Sequence, residues 1–168
     1  MAGITNEQIV ARTKEQFGED LEQAYESYNM LTLVVNRVRI FDFIKFLKED
    51  EELNFHFLTD LCGIHYPDNT GKEIGVIYHL HNMIKNARVR VETFFPADDA
   101  RTPSLTPLWS AANWQERETY DFFGIVFEGH PDLRRILNVD DMDYFPMLKQ
   151  YPLEDGTRED KNDKMFGR

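Results

Sequence analysis

Apolar side chains recur along this chain with two periods, one helical and one extended. Thr5 and Gln8 have the spacing of a capping box, and Ile9, Val10, Thr13 and Phe17 then fall on one face before Gly18, which predicts a helix over 6–17. A second helix is predicted over 39–52. There Ile40, Phe43, Ile44 and Leu47 recur at i, i+3, i+4 and i+7, while Lys45, Lys48, Glu49 and Asp50 fill the other side. A third is predicted over 108–123, with Pro107 suited to its first turn, Gly124 as its stop, and Ser104 and Thr106 as candidate caps.

Between these lie shorter runs with a period of two. MLTLVV at 30–35 reads as a buried strand rich in β-branched residues. Residues 54–64 alternate, with Phe55, Phe57, Thr59 and Leu61 facing one way and His56, Leu58, Asp60 and Cys62 the other. In 74–82, Ile74, Val76, Tyr78 and Leu80 share a face. In 88–95, Val89, Val91, Thr93 and Phe95 oppose Arg88, Arg90 and Glu92, and the short link at 83–87 implies a hairpin. Residues 19–29 fit a short helix or a strand equally. Residues 66–71 are turn chemistry, 96–107 read as a loop, and 125–127 as a strand fragment leading into extended chain.

The order strand–helix–strand–strand–strand–helix predicts an α+β fold: a mostly antiparallel sheet of three or four strands with helices packed on one face. Residues 1–127 form the globular domain, with a helix-rich start at 1–29, and 128–168 an extended C-terminal segment. Within it, 154–168 is almost free of apolar residues and mixed in charge, a composition expected to be disordered alone and to order on a partner.

Composition narrows the functional classes. With 168 residues and 42% apolar content a core can form without staples. The single Cys62 rules out an intramolecular disulfide and any four-cysteine zinc or iron–sulfur site built from this chain, and fits a reducing, cytosolic location. A net charge of −11 disfavours nucleic acid and anionic lipid. Apolar runs are too short to span a bilayer, and the early Glu7, Glu15, Glu19 and Asp20 argue against a leader. The expectation is a protein that reaches a membrane only by holding a membrane protein.

The densest window for chemistry is 114–149. Glu116, Arg117, Glu118 and Asp121 crowd two helical turns, and Arg117 and Asp121 are spaced to pair. Carboxylates at i and i+2 point to different sides of a helix, so a charged face that docks on arginines of this or another chain is favoured over an acid/base pair. Gly129, His130, Pro131 and Asp132 make a tight, predetermined turn. Asp132 is a conceivable orienting partner for a catalytic His130, yet no nucleophilic serine or cysteine accompanies them, so a structural or interface histidine is favoured. Arg134 and Arg135 fit an inter-subunit ion pair better than a phosphate grip. His79 and His81 share a strand face, with Asp60 and His65 as neighbours, a pattern open to a divalent metal but more often simply solvated. A standalone metal-dependent hydrolase built on His79, His81 and Asp60 is the outlying reading. No catalytic, cofactor-binding or metal-binding residue is expected.

The run from Glu116 to Leu137, ERETYDFFGIVFEGHPDLRRIL, closely resembles the motif of the 30 kDa subunit family (the C subunits) of NADH:quinone oxidoreductase, respiratory complex I. Every fixed position of that motif is matched. The segments FLTD at 57–60, VIYHL at 76–80, SLTPLW at 104–109 and AANW at 111–114 resemble the same family, giving a coverage of about 30–153. The resemblance implies a cofactor-free peripheral-arm subunit of a proton-translocating complex, packed against the D-subunit homologue and other peripheral-arm subunits, with the C-terminal segment wrapping those partners. Iron–sulfur clusters, FMN and quinone would belong to the assembled complex. Location would be peripheral, on the cytoplasmic side of the cell inner membrane. The implied partner interface comprises Glu116, Arg117, Glu118, Asp121, Gly129, His130, Pro131, Asp132, Arg134 and Arg135. Past Leu137 the sequence departs from the family pattern: Met142 stands where a tryptophan is usual, and PMLKQ at 146–150 replaces P-L-R-K followed by Asp or Phe. Homologous subunits of membrane-bound hydrogenases or formate hydrogenlyases resemble the same motif and form the nearest alternative.

Overall fold

A computed structural model describes residues 3–152. Its elements run α1 (Asn6–Phe17), β1 (Leu21–Ser27), β2 (Met30–Val35), α2 (Ile40–Glu49), β3 (Phe57–His65), β4 (Ile74–Asn82), β5 (Ala87–Phe95), β6 (Arg101–Pro103), α3 (Ala112–Phe123) and β7 (Val126–Glu128). The five long strands form one sheet in the order β1-β2-β5-β4-β3, and β6 pairs with β7 in a separate ribbon. Neighbours in the main sheet are antiparallel, except that β2 and β5 run parallel. The fold is the expected α+β architecture, with five strands in the main sheet where three or four were read from the sequence.

The predicted helices form for the reasons their patterns give. Both halves of the Thr5–Gln8 capping box are present at the start of α1, and Ile9, Thr13 and Phe17 are its buried face. In α2, Ile40, Phe43, Ile44 and Leu47 are all fully buried. They meet the sheet positions Leu33, Val76, Tyr78, Leu80, Val89 and Val91 in one continuous core. Burying each of these large side chains contributes roughly 1.5–3 kcal/mol.

One open reading resolves, and three local expectations need correction. The ambiguous 19–29 stretch is the edge strand β1, turning into β2 through Tyr28 and Asn29, both left-handed with φ of 52° and 59°. Five of its seven residues are exposed, so it carries no apolar alternation to read. In β3 a bulge between Leu58 and Asp60 resets the alternation. Leu58 and Leu61 both point into the core, and Phe57, expected beside Leu61, is exposed. The 96–107 loop contains β6, whose backbone pairs with β7. Finally, α3 starts at Ala112, not 108. Leu108 and Trp109 instead close turns onto the Leu105 carbonyl, and the Trp109 indole donates to the His56 carbonyl at 2.8 Å.

Candidate docking site

Helix α3 lies against β3, with the Phe123 ring directly over Gly63. Gly124 ends the helix in a left-handed conformation at φ 77°, and the chain returns along the helix after β7. The returning arm runs beside α3 in the same direction. His130 meets the helix at Asn113, residues 134 and 135 at Arg117, and residues 135–138 at Asp121.

Asp121 is the fixing point. Its carboxylate has no exposed surface and accepts from the backbone N–H groups of Ile136 (3.1 Å), Leu137 (2.8 Å) and Asn138 (2.9 Å). It also accepts from the Asn138 side-chain amide (3.1 Å) and the Arg135 guanidinium (2.7 Å). Burial alone would raise its pKa; the Asn138, Leu137 and Arg135 donors outweigh that, so the carboxyl sits well below the usual carboxylate range. Arg135 is itself nearly buried. It donates further to the carbonyls of Met142 (2.7 Å) and Tyr144 (3.0 Å) and lies over the Phe145 ring at 5.0 Å. One guanidinium therefore joins α3 to the arm at Met142, Tyr144 and Phe145.

The arm then folds back on its own domain. Phe145 packs against Tyr120 with centroids 5.9 Å apart and covers Gly124. The Met147 N–H donates to the Phe122 carbonyl, and the Lys149 N–H to Nδ1 of His65 at 2.9 Å. The expected disorder of 154–168 lies outside the described residues.

Several pairings differ from those the spacing implied. Arg117 and Asp121 do not pair: Asp121 belongs to Arg135, and Arg117 donates to the carbonyls of Arg134 (3.2 Å) and Arg135 (2.9 Å). The two arginines part company, Arg135 inward and Arg134 outward, the latter paired with Asp132 at 2.9 Å. Glu116 is also fully buried, accepting from the Ser104 hydroxyl and the Leu105 N–H, both at 2.6 Å. Burial pushes its carboxyl up to about 7 against those two donors. Ser104, read as a helix cap, thus serves a carboxylate on the next helix, and Thr106, read likewise, bonds to Ser104.

His130 is a structural link. Its Nδ1 accepts the Asp132 N–H at 3.0 Å and its Nε2 faces the Asn113 carbonyl at 3.1 Å, contacts that require the proton on Nε2. Asp132 therefore orients the ring through its backbone, while its carboxylate goes to Arg134. Gly129 takes φ 82°, as the tight turn requires. Outward-facing groups are Glu118, Pro131, Asp132 and Arg134, together with the apolar Trp114, Leu137 and Val139, each of these three more than half exposed. Sequence reasoning missed Asn138, the role of Ser104 as a donor to Glu116, and the Met142 and Tyr144 carbonyls, because a hydrogen bond formed by backbone or by a distant loop leaves no spacing signal.

Of the histidine pair, His79 is engaged by its neighbours. His79 Nε2 accepts from Arg90 Nε at 3.2 Å and its Nδ1 lies 3.9 Å from Asp60. Burial and the Arg90 charge lower its pKa. His65 is taken up by the arm, and no group of three His, Cys, Asp or Glu clusters among the described residues.

Fold and site define an α+β domain whose last helix carries a latched, outward-facing arm. The model of the respiratory-chain NADH dehydrogenase 30 kDa subunit family matches residues 33–157, and the chain belongs to that family. Among curated relatives, the NADH-quinone oxidoreductase C subunit of Mycolicibacterium gilvum is 40% identical over 152 residues, covering 88% of this chain and 67% of that protein. Its counterpart from a Nocardioides species is 44% identical over 123 residues, covering 73% and 49%. The chain thus spans between about half and two thirds of the length of these relatives. Among solved structures, a trypsin-resistant fragment (1–134) of Nqo5 superposes with TM-score 0.65 at 32% identity, covering 76% of this chain and 98% of the fragment. A chain of the membrane-bound sulfane sulfur reductase, an archaeal respiratory membrane complex, gives 0.73 at 28% identity, covering 88% and 85%. No helix among the described residues is long and apolar enough to cross a membrane.

Proposed function

We propose that this chain is the 30 kDa peripheral-arm subunit of a proton-translocating NADH:quinone oxidoreductase, and that it supports assembly of the electron path to quinone without carrying a cofactor. Its partners are the D-subunit homologue and other peripheral-arm subunits, and the iron–sulfur clusters, FMN and quinone belong to the assembled complex. It sits peripherally, on the cytoplasmic side of the cell inner membrane, bound through that complex. The lone Cys62, a thiol that burial pushes up to about 11, supplies no ligand set for a cluster.

The observation that carries this reading is the division of labour around α3. Glu116, Asp121, Arg117, His130 and Arg135 use their hydrogen bonds inside the chain, and by doing so hold Asp132, Arg134, Leu137 and Val139 outward. Exposed apolar residues on a support tied together by its own hydrogen bonds are what a protein interface needs. Gly129 and Pro131 set the turn, and Glu118 adds a rim charge. The segment past residue 128 extends that surface toward the neighbouring subunits.

Co-purification from native cells through a tag on this chain tests the proposal. The expected result is a set of quinone-reducing and cluster-bearing subunits in fixed ratio with it. Recovery of the chain alone would contradict it. The likeness to the archaeal sulfane sulfur reductase chain favours one second reading, in which the same subunit serves a related membrane-bound redox complex with another donor, such as a hydrogenase. The identities of the co-purified subunits separate the two.

A further inference from the structure

Glu116 is a carboxyl group with no cation to meet. It has no exposed surface, and its bonded neighbours are a hydroxyl and a backbone N–H. The cationic groups around it are engaged elsewhere, and the remaining titratable groups offer it no positive charge. From β4 comes the phenol of Tyr78, fully buried and itself raised by burial, with Glu116 adding to the effect. From α2, Lys48 donates to the Leu108 carbonyl and lies over the Trp109 ring at 4.8 Å. At the β6–β7 ribbon, Arg101 and Glu128 face each other at 3.8 Å in solvent. On β3, His65 is held by the arm, Asp60 faces His79, and Cys62 is neutral. On α3 itself, Arg117 and Asp121 serve the arm and Glu118 is exposed.

The hydroxyl beside Glu116 is one of two in series. Ser104 Oγ lies 2.6 Å from Glu116 Oε2 and 2.8 Å from Thr106 Oγ1, and it accepts the Thr106 N–H at 3.1 Å. Thr106 is only partly buried, so the series leads from the core to the surface. With Glu116 ionised, Ser104 donates to the carboxylate and Thr106 donates to Ser104. With Glu116 protonated, the carboxyl donates to Ser104, Ser104 donates to Thr106, and the Thr106 hydroxyl turns to water. Both directions leave each buried oxygen of the series paired.

We propose that Glu116, Ser104 and Thr106 form a buried proton-binding site, loaded and emptied through the two hydroxyls with no other rearrangement of the chain. A proton from a surface water enters at Thr106 Oγ1, the Thr106 proton passes to Ser104, and the Ser104 proton to Glu116 Oε2. Carboxylate and hydronium are consumed, carboxylic acid and water are formed. Burial sets the exchange near neutral pH, with the Ser104 and Leu105 donors opposing it. Because the folded state holds this proton more tightly than the unfolded chain does, the site contributes stability in acid. That contribution falls as pH rises from the ordinary glutamate range through about 7.

The test is a pH titration of the Glu116 carboxyl carbon by NMR in the purified full-length chain, alongside the folding equilibrium of wild type and Glu116→Gln. The site predicts a Glu116 midpoint near neutrality and at least about a tenfold loss in the wild-type folding constant between pH 5 and 7.5 that Glu116→Gln lacks. Two further variants report on the hydroxyls. Ser104→Ala removes a donor to the charged form and raises the midpoint. Thr106→Val leaves the Ser104 O–H without an acceptor only in the neutral form, and lowers it. A wild-type midpoint in the ordinary glutamate range overturns the site. A neutral midpoint that neither variant moves, or that both move the same way, overturns the two-hydroxyl path.

Discussion

Asp121 receives five donors and shows no surface to water, so its charge is fully engaged by the arm and Arg135. Replacing it with Ala leaves Arg135 nearly buried without its counter-ion, along with three backbone N–H groups. The expected loss is about 3 kcal/mol or more of folding stability, read from chemical denaturation. Asn is no remedy, since its amide turns a donor toward donors. The pH dependence has the opposite sign to that of Glu116. A depressed carboxyl contributes stability above its unfolded value of roughly 4 and loses it as pH falls below that range, so acid unfolding should be blunted in Asp121→Ala. At this scale the sequence was only partly legible. The motif marked Glu116, Asp121 and Arg135 as important, and the i, i+4 rule then gave Asp121 to Arg117. That rule describes side chains on an isolated helix; here the arm offers a guanidinium and aligned N–H groups, which outweigh a solvent-exposed pair worth about a few tenths of a kcal/mol.

Among the elements, the contact of α3 with β3 depends on a glycine. A Cβ on Gly63 would lie 2.5 Å from the Phe123 ring, so Gly63→Ala must push the helix away from the sheet and should cost about 1–3 kcal/mol. Gly124→Ala adds strain at φ 77° to a clash with Phe145 at 2.6 Å, and should loosen the arm as well as the helix end. Limited proteolysis provides the readout: faster cutting between residues 130 and 150 in Gly124→Ala, and unchanged cutting at other sites. Elements with an amphipathic period, α1, α2, β4 and β5, were legible because one face of each is buried. The edge strand β1, the bulge in β3 and the short β6 were not. Their positions are set by backbone pairing with distant strands, which leaves little trace in side-chain polarity.

Taken as a molecule, the domain keeps its polar framework for itself and turns Asp132, Arg134, Leu137 and Val139 outward. Asp132 and Arg134 form an exposed pair, so neutralising them should change folding stability by no more than about 0.5 kcal/mol. Their expected importance lies in association. The most direct measurement combines both quantities: the amount of assembled complex in cells carrying Asp132→Ala, Arg134→Ala or both, and quinone reduction per assembled complex. The expected result is less assembled complex, with turnover per complex unchanged. Normal assembly with lost turnover would contradict it, because the chain would then be taking part in the reaction and not in building the machine that performs it.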